Sequence, residues 1–209
     1  MKTKLFRRLC FVTLIAFFTP ALFAENTGKS LIVYFTLYGN QQRQPTDADT
    51  GASRTVYKGS VYGNTETLAV MLKEFTKADT LKISTSKKYG RSLSEVKTEV
   101  QKEFQQDGNV SITAKVDLSA YDTVYLGFPV WEDKIPKAVE TFLAENDLSE
   151  KKVFMFTTGT PQSMGAHLDV LRKSITSCKV NANVFYTQGD RAINARAKLT
   201  RWLKDNRLM

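Results

Sequence analysis

Three short apolar runs constrain this chain more than any other feature. They are Leu31-Ile32-Val33-Tyr34-Phe35, Thr123-Val124-Tyr125-Leu126-Gly127-Phe128 and Val153-Phe154-Met155-Phe156. A strand with one wet face alternates apolar and polar residues; a strand covered on both faces reads as a continuous run. Helical periodicity fills the gaps between the runs. Residues 65–77 place Leu68, Met71, Leu72 and Phe75 on one side. Residues 92–106 do the same with Leu93, Val96, Val100 and Phe104, and Ser92 with Glu95 fits a capping box. Further helices are expected at 135–145, with Pro136 in the first turn, at 165–174, and at 190–206 with Ile193, Ala197, Leu199 and Trp202 facing inward. Shorter strands fit residues 80–84, with Leu81 and Ile83 on one face, and 183–187. Alternation of this kind predicts an α/β sandwich: a parallel sheet with helices on both faces and crossovers of one hand.

The two ends of the sequence set the compartment and the charge. Lys2, Lys4, Arg7 and Arg8 precede an apolar stretch too short to cross a bilayer, and Ala24 is a small residue suited to cleavage. Residues 1–24 therefore read as a signal peptide and 25–209 as one exported domain, periplasmic in a Gram-negative source. No stable membrane insertion is expected after cleavage. Arg7-Arg8 makes a poor twin-arginine signal, so the general secretion route is an equal alternative. Removing the leader lowers the net charge from +9 to +5. That balance, spread over Lys151, Lys152 and the C-terminal Arg191, Arg196, Lys198, Arg201, Lys204 and Arg207, describes solvated helix faces and argues against a nucleic-acid partner. Cys178 is the single cysteine left, so no intramolecular disulfide can form. The lone histidine, His167, reads as a helix-surface or partly buried residue and argues against a Ser/His/Asp site and a His-rich metal site. There is no Walker loop and no G-x-G-x-x-G.

In open parallel sheets ligands lie beyond the C-terminal strand ends. Three loops occupy those positions. The first is Thr36-Leu37-Tyr38-Gly39-Asn40, continued after a polar insertion at 37–59 by the turn Ser60-Val61-Tyr62-Gly63-Asn64-Thr65. The second is Pro129-Val130-Trp131-Glu132-Asp133-Lys134, and the third Thr157-Thr158-Gly159-Thr160. Amides and hydroxyls at a helix start can hold a small anion without a Lys or Arg in the loop. Trp131 offers a flat apolar wall at low entropy cost.

Tyr34-Phe35-Thr36, Gly63-Asn64-Thr65, the block from Tyr121 to Trp131 and Phe156-Thr157-Thr158-Gly159 together resemble the flavodoxin-like family, over nearly all of residues 25–209. The match is closest to single-domain flavodoxins with a Gly-Phe-Pro-Val-Trp type of loop. The resemblance implies a five-stranded parallel sheet of order 2-1-3-4-5 and noncovalent FMN. It implies phosphate contacts from Ser60, Tyr62, Gly63, Asn64 and Thr65. Pro129, Val130 and Trp131 would border the ring, and Thr157, Thr158 and Gly159 would close its other side. The chain departs from the family pattern at Gln41, where the motif breaks before restarting at Ser60, at Glu132 in place of a second Trp, and at Thr160 in place of a glycine. The expected function is electron transfer or reduction of a small oxidant such as a quinone, with a redox partner protein or a small-molecule oxidant as the second party. No catalytic side chain and no metal ligand is assigned. The residues leave open whether the protein is an enzyme or a carrier. A second reading is a binding or structural module of the same fold that has lost FMN.

Overall fold

The computed structural model describes residues 28–42, 54–106, 109–161 and 166–209, with the side chains of Ala166 and His167 left aside. The leader at 1–24 and residues 43–53 of the insertion lie outside the described residues. Five strands form one parallel sheet: β1 (Lys29–Phe35), β4 (Asp79–Ile83), β5 (Tyr121–Pro129), β6 (Lys152–Gly159) and β7 (Phe185–Gln188). Their order is β4-β1-β5-β6-β7, which is the expected 2-1-3-4-5 layout. The order reverses between β1 and β5, and this is where a doubly wound sheet opens a ligand crevice.

The strand periodicity splits the core into two layers. Leu31, Val33, Phe35, Val124, Leu126, Phe128, Val153 and Met155 face one way, toward α2 (Leu93–Gln105), α3 (Lys137–Glu145) and α4 (Ala166–Ser174). Ile32, Tyr34, Tyr125, Phe154 and Phe156 face the other way, toward α1 (Asn64–Thr76) and α5 (Arg196–Asp205). Successive strand side chains must take opposite faces, so two covering layers explain why the runs carry no polar alternation. Gly127 belongs to this packing. It pairs with Phe156 across the β5–β6 ladder, and a Cβ on it would collide with the Phe156 ring.

The helix expectations hold with shifts that have local causes. Ser92 caps α2, accepting from Glu95 N at 3.2 Å, while Glu95 Oε2 accepts from Ser92 N at 2.8 Å. Leu93, however, is exposed, at the first residue of the helix. Pro136 is the cap of α3, with an extended ψ of 137°, and not part of its first turn. The C-terminal helix is divided. Gly189–Asn194 is a 3-10 segment, and α5 starts only at Arg196. The change of pitch rotates the face, so Ala192, Ala195, Leu199, Trp202 and Leu203 point inward while Ile193 and Ala197 face solvent. No helix among the described residues is long and apolar enough to cross a membrane.

The largest departure is at Ser60–Gly63. The sequence reading makes this a turn within a long loop; it is β3, paired antiparallel with β2 (Arg54–Tyr57). Lys58 and Gly59 both have positive φ, 49° and 80°, the signature of a two-residue turn of the mirror-image kind that suits strand twist. Thr55 and Tyr57 turn toward the body of the domain and Val56 and Val61 turn away, so the pattern had a period of two. The hairpin is fastened to the helical layer by Glu74 of α1. Its carboxylate accepts from Lys58 Nζ at 2.6 Å, Arg196 Nη1 at 2.5 Å and Tyr57 Oη at 3.3 Å.

Those cationic partners lower the Glu74 carboxyl from its ordinary 4.5 to about 2. A depressed carboxylate contributes stability above its unfolded pKa, and that contribution is lost as pH falls through its folded pKa. Amide exchange protection in the hairpin is therefore expected to be complete above pH 4.5 and to decline toward pH 2. Glu74→Gln is expected to lower protection at neutral pH and to flatten this profile. A hairpin whose protection ignores both pH and the substitution would disprove the tether.

Candidate functional site

The C-terminal ends of β1, β5 and β6 meet the N-terminus of α1. Helix α1 begins at Asn64 directly after β3, with Gly63 as its cap in an extended conformation. Gly63 rides so closely over the end of β1 that a Cβ would strike the Thr36 hydroxyl. No larger residue fits there. At the second residue of the helix, Thr65 Oγ1 lies 2.8 Å from Thr158 Oγ1 at the end of β6, both buried. Thr158 pairs with Pro129, and its carbonyl accepts from Val130 N at 2.7 Å. Three segments distant in sequence are thus tied at one rim of the sheet. The amides of a first helical turn have no acceptor one turn back and carry the positive end of the helix dipole. Around them stand the hydroxyls of Thr36, Thr65 and Thr158.

The expected site residues divide into three groups. Gly63, Asn64, Thr65, Pro129, Thr158 and Gly159 lie at this rim. The Asn64 carboxamide accepts from Thr55 Oγ1 at 2.7 Å, which ties the helix start to the hairpin. Val130 and Thr157 are at the right strand ends, but their side chains are committed elsewhere. Val130 is packed in the α2–α4 layer, and Thr157 Oγ1 donates to Phe185 O at 3.2 Å. Ser60 and Tyr62 lie on the hairpin strand β3. Ser60 pairs with Tyr57 beside the turn and is exposed, three residues up the strand from Gly63, or about 10 Å. Tyr62 is half-buried opposite Thr55.

Trp131 is positioned by two buried aromatic rings. It meets Phe35 edge-on at 5.4 Å between centroids and Tyr89 at 5.5 Å, and it remains partly exposed. Behind it, Glu132 and Asp133 both have positive φ, 47° and 60°, and Trp131 and Lys134 bond to each other across the tight turn they make. That turn carries Glu132 toward α2, where its carboxylate accepts from Gln101 Nε2 at 3.3 Å. The third loop is held by Tyr186, whose hydroxyl donates to Thr160 O.

Two features escaped the sequence reading. Asn40, in the first copy of the Gly-Asn motif, is fully buried and spent on structure. Its amide donates to Thr36 O at 2.8 Å and Ile83 O at 3.1 Å, and its oxygen accepts from Thr85 N at 2.9 Å. Only the second copy opens a helix. The loop also has cations near it that its own sequence lacks. Lys82 Nζ lies 2.8 Å from the place a Cβ would take on Gly39, and Lys88 Nζ donates to Gly39 O at 3.4 Å. The signal for Lys82 was its position on β4, one residue out of phase with Leu81 and Ile83. Among the described residues no His, Cys, Asp and Glu group is arranged to hold a metal.

The close approach at Gly63 is testable by itself. Gly63→Ala is expected to cost about 1–3 kcal/mol in urea unfolding, as overpacking of a buried contact does. Adding Thr36→Ala, which removes the hydroxyl and methyl it strikes, is expected to recover part of that loss. Additive penalties would place the methyl somewhere other than against Thr36.

The flavodoxin sequence pattern matches residues 54–206 of the chain. No curated protein sequence matches it. Among solved structures, a candidate flavoprotein from Bacteroides eggerthii superposes with a TM-score of 0.62 at 20% identity, over 85% of this chain and 97% of that one. A second, from Bacteroides uniformis, gives 0.61 at 20% identity over 85% and 98%. A flavoprotein from Lactobacillus acidophilus, solved in complex with FMN, gives 0.55 at 14% identity over 81% and 99%. At these identities the likeness is one of fold. The sequence match over most of the chain, with the strand order and the helix start built at the end of β1, makes this protein a member of the flavodoxin family.

Proposed function

We propose that the protein binds FMN noncovalently at the rim formed by β1, β5, β6 and the start of α1, and that it transfers electrons to a partner protein or to a small oxidant such as a quinone. The observation that carries this reading is the convergence of uncharged donors on a helix N-terminus at the topological switch point. The Thr65 and Thr158 hydroxyls are in contact, and Gly63 is seated on Thr36. The donor set fits a phosphate: first-turn amides of α1 from Asn64 onward, with the hydroxyls of Thr36, Thr65 and Thr158. Ser60 is left out of it because it sits beside the hairpin turn, about 10 Å along β3 from Gly63, whereas Tyr62 adjoins the cap residue Gly63 and stays a candidate contact. Trp131, held edge-on by Phe35 and Tyr89 and partly exposed, fits one side of a planar ring, with the backbones of Pro129, Val130, Thr157 and Gly159 beside it. FMN, when bound, supplies one- or two-electron transfer; the protein orients it and excludes water. The family membership and the FMN complex of the Lactobacillus acidophilus relative support this assignment.

We place the protein outside the cytoplasm on the basis of residues 1–24, whose basic start and short apolar run have the composition of an export signal.

Protein purified from its own compartment is expected to be yellow, and stripped protein to quench the fluorescence of added FMN at micromolar concentration. Colourless protein that leaves FMN fluorescence unchanged would refute the assignment and favour a flavodoxin-like module without FMN. Trp131→Ala is expected to weaken FMN binding about tenfold or more, as loss of a stacking aromatic does. Its urea midpoint is expected to fall by a smaller fraction, since Phe35 and Tyr89 keep their own burial. Equal loss of binding and stability would make Trp131 a packing residue.

A further inference from the structure

Glu66 poses an electrostatic problem at the proposed phosphate site. It lies in the first turn of α1, and its side chain is only 13% exposed. Its carboxylate accepts from Gly63 N at 3.2 Å and so occupies one of the amides at the helix start. A second anion arriving at the neighbouring amides meets this carboxylate at short range, in a setting where water screens poorly. The fold answers with Lys82. Its ammonium reaches from the edge strand β4 to both carboxylate oxygens, at 3.2 and 3.3 Å. The Tyr34 hydroxyl donates to the same carboxylate at 3.0 Å, and burial together with Glu66 keeps that phenol protonated. Lys88 flanks the same loop through Gly39 O.

Resting on the reading that α1 holds the FMN phosphate, we propose that Lys82 is a positioning and specificity residue: by neutralising Glu66 it permits a dianion at the start of α1 and so selects phosphorylated flavin over riboflavin. The ammonium is separated from the Gly63 amide by a single carboxylate that touches both, well inside the screening length of about 8 Å at physiological salt. Lys82 need not contact the phosphate. Its effect is on the net charge the phosphate meets, and Gly39 keeps its path clear because any side chain there would lie against the ammonium.

The test compares FMN with riboflavin, which share the ring and differ in the phosphate. Both are titrated by fluorescence into the full exported chain. Lys82→Met is expected to weaken FMN binding about tenfold or more, as stranding one member of a half-buried ion pair does, while riboflavin affinity stays within about twofold. Adding Glu66→Gln to Lys82→Met is expected to return FMN affinity to within about threefold of the parent, because the two changes share one interaction. Glu66→Gln alone is expected to hold or raise FMN affinity, and it serves as the readout if Lys82→Met does not fold. A parallel fall for both flavins, an unchanged FMN-to-riboflavin ratio, or a loss of FMN affinity in Glu66→Gln overturns the proposal while leaving FMN binding intact. A parent protein that gives no titration curve with either flavin overturns this proposal together with the flavin assignment, and is seen before any variant is made.

Discussion

The structure depends on how closely the start of α1 is seated on the ends of the sheet. Gly63 lies against Thr36 with no room for a methyl, and Thr65 touches Thr158 across the rim. These contacts are short because each joins a backbone or a small hydroxyl to another, with no long side chain between. They fix which amides of the helix point outward and over which strands. Everything proposed for the site uses that placement: the donors, the opening between β1 and β5, and the charge balance between Glu66 and Lys82. A helix seated 1 Å higher would keep its fold and lose the convergence, since hydrogen bonds are lost over such distances.

The hairpin interrupting the path from β1 to α1 is the part of this chain that most alters the simple plan. In a direct connection the loop after β1 would run straight into the helix, and Asn40 would stand where Asn64 stands. Here Asn40 is turned inward to join the loops after β1 and β4. The chain leaves, returns as β2 and β3, and re-enters at Gly63. The hairpin is then held by Glu74 between Lys58 and Arg196, an arrangement that couples the entry to α1 with the start of α5. Half-exposed ion pairs of this sort contribute little singly. Their effect here is geometric, since they set the direction from which β3 delivers the helix.

Charge at the rim shows why an anion site cannot be judged from its loop sequence alone. The stretch from Ser60 to Thr65 holds no Lys or Arg, and the adjacent Glu66 is acidic. Read in isolation, its amides and hydroxyls offer an anion donors while Glu66 opposes it. The compensating ammonium comes from Lys82 on an edge strand, sixteen residues further along the chain. Its neighbours on that strand, Leu81 and Ile83, face the opposite layer. The same alternation that buries them delivers the cation.

The amino-acid sequence by itself determined the architecture. The unbroken runs around Val33, Leu126 and Met155 demand cover on both faces; the periodicity of Leu68, Met71 and Leu72 supplies one cover and that of Val96 and Val100 contributes to the other. These are local signals, set by side-chain spacing, and they were legible along with the parallel sheet and the three rim loops, while the strand order came from the family resemblance. The hairpin was also written in the alternation Thr55 to Tyr57 and Ser60 to Tyr62, but short strands read as loop when polar residues surround them. Only the tertiary structure decided which hydroxyls meet, that Val130 and Thr157 turn their side chains away, that Ser60 lies beside the hairpin turn, and that Lys82 pairs with Glu66. Each of these is a distance between residues far apart in the chain. Periodicity fixes the face a side chain takes, whereas the residue it meets is fixed by strand register and by the depth at which a helix docks.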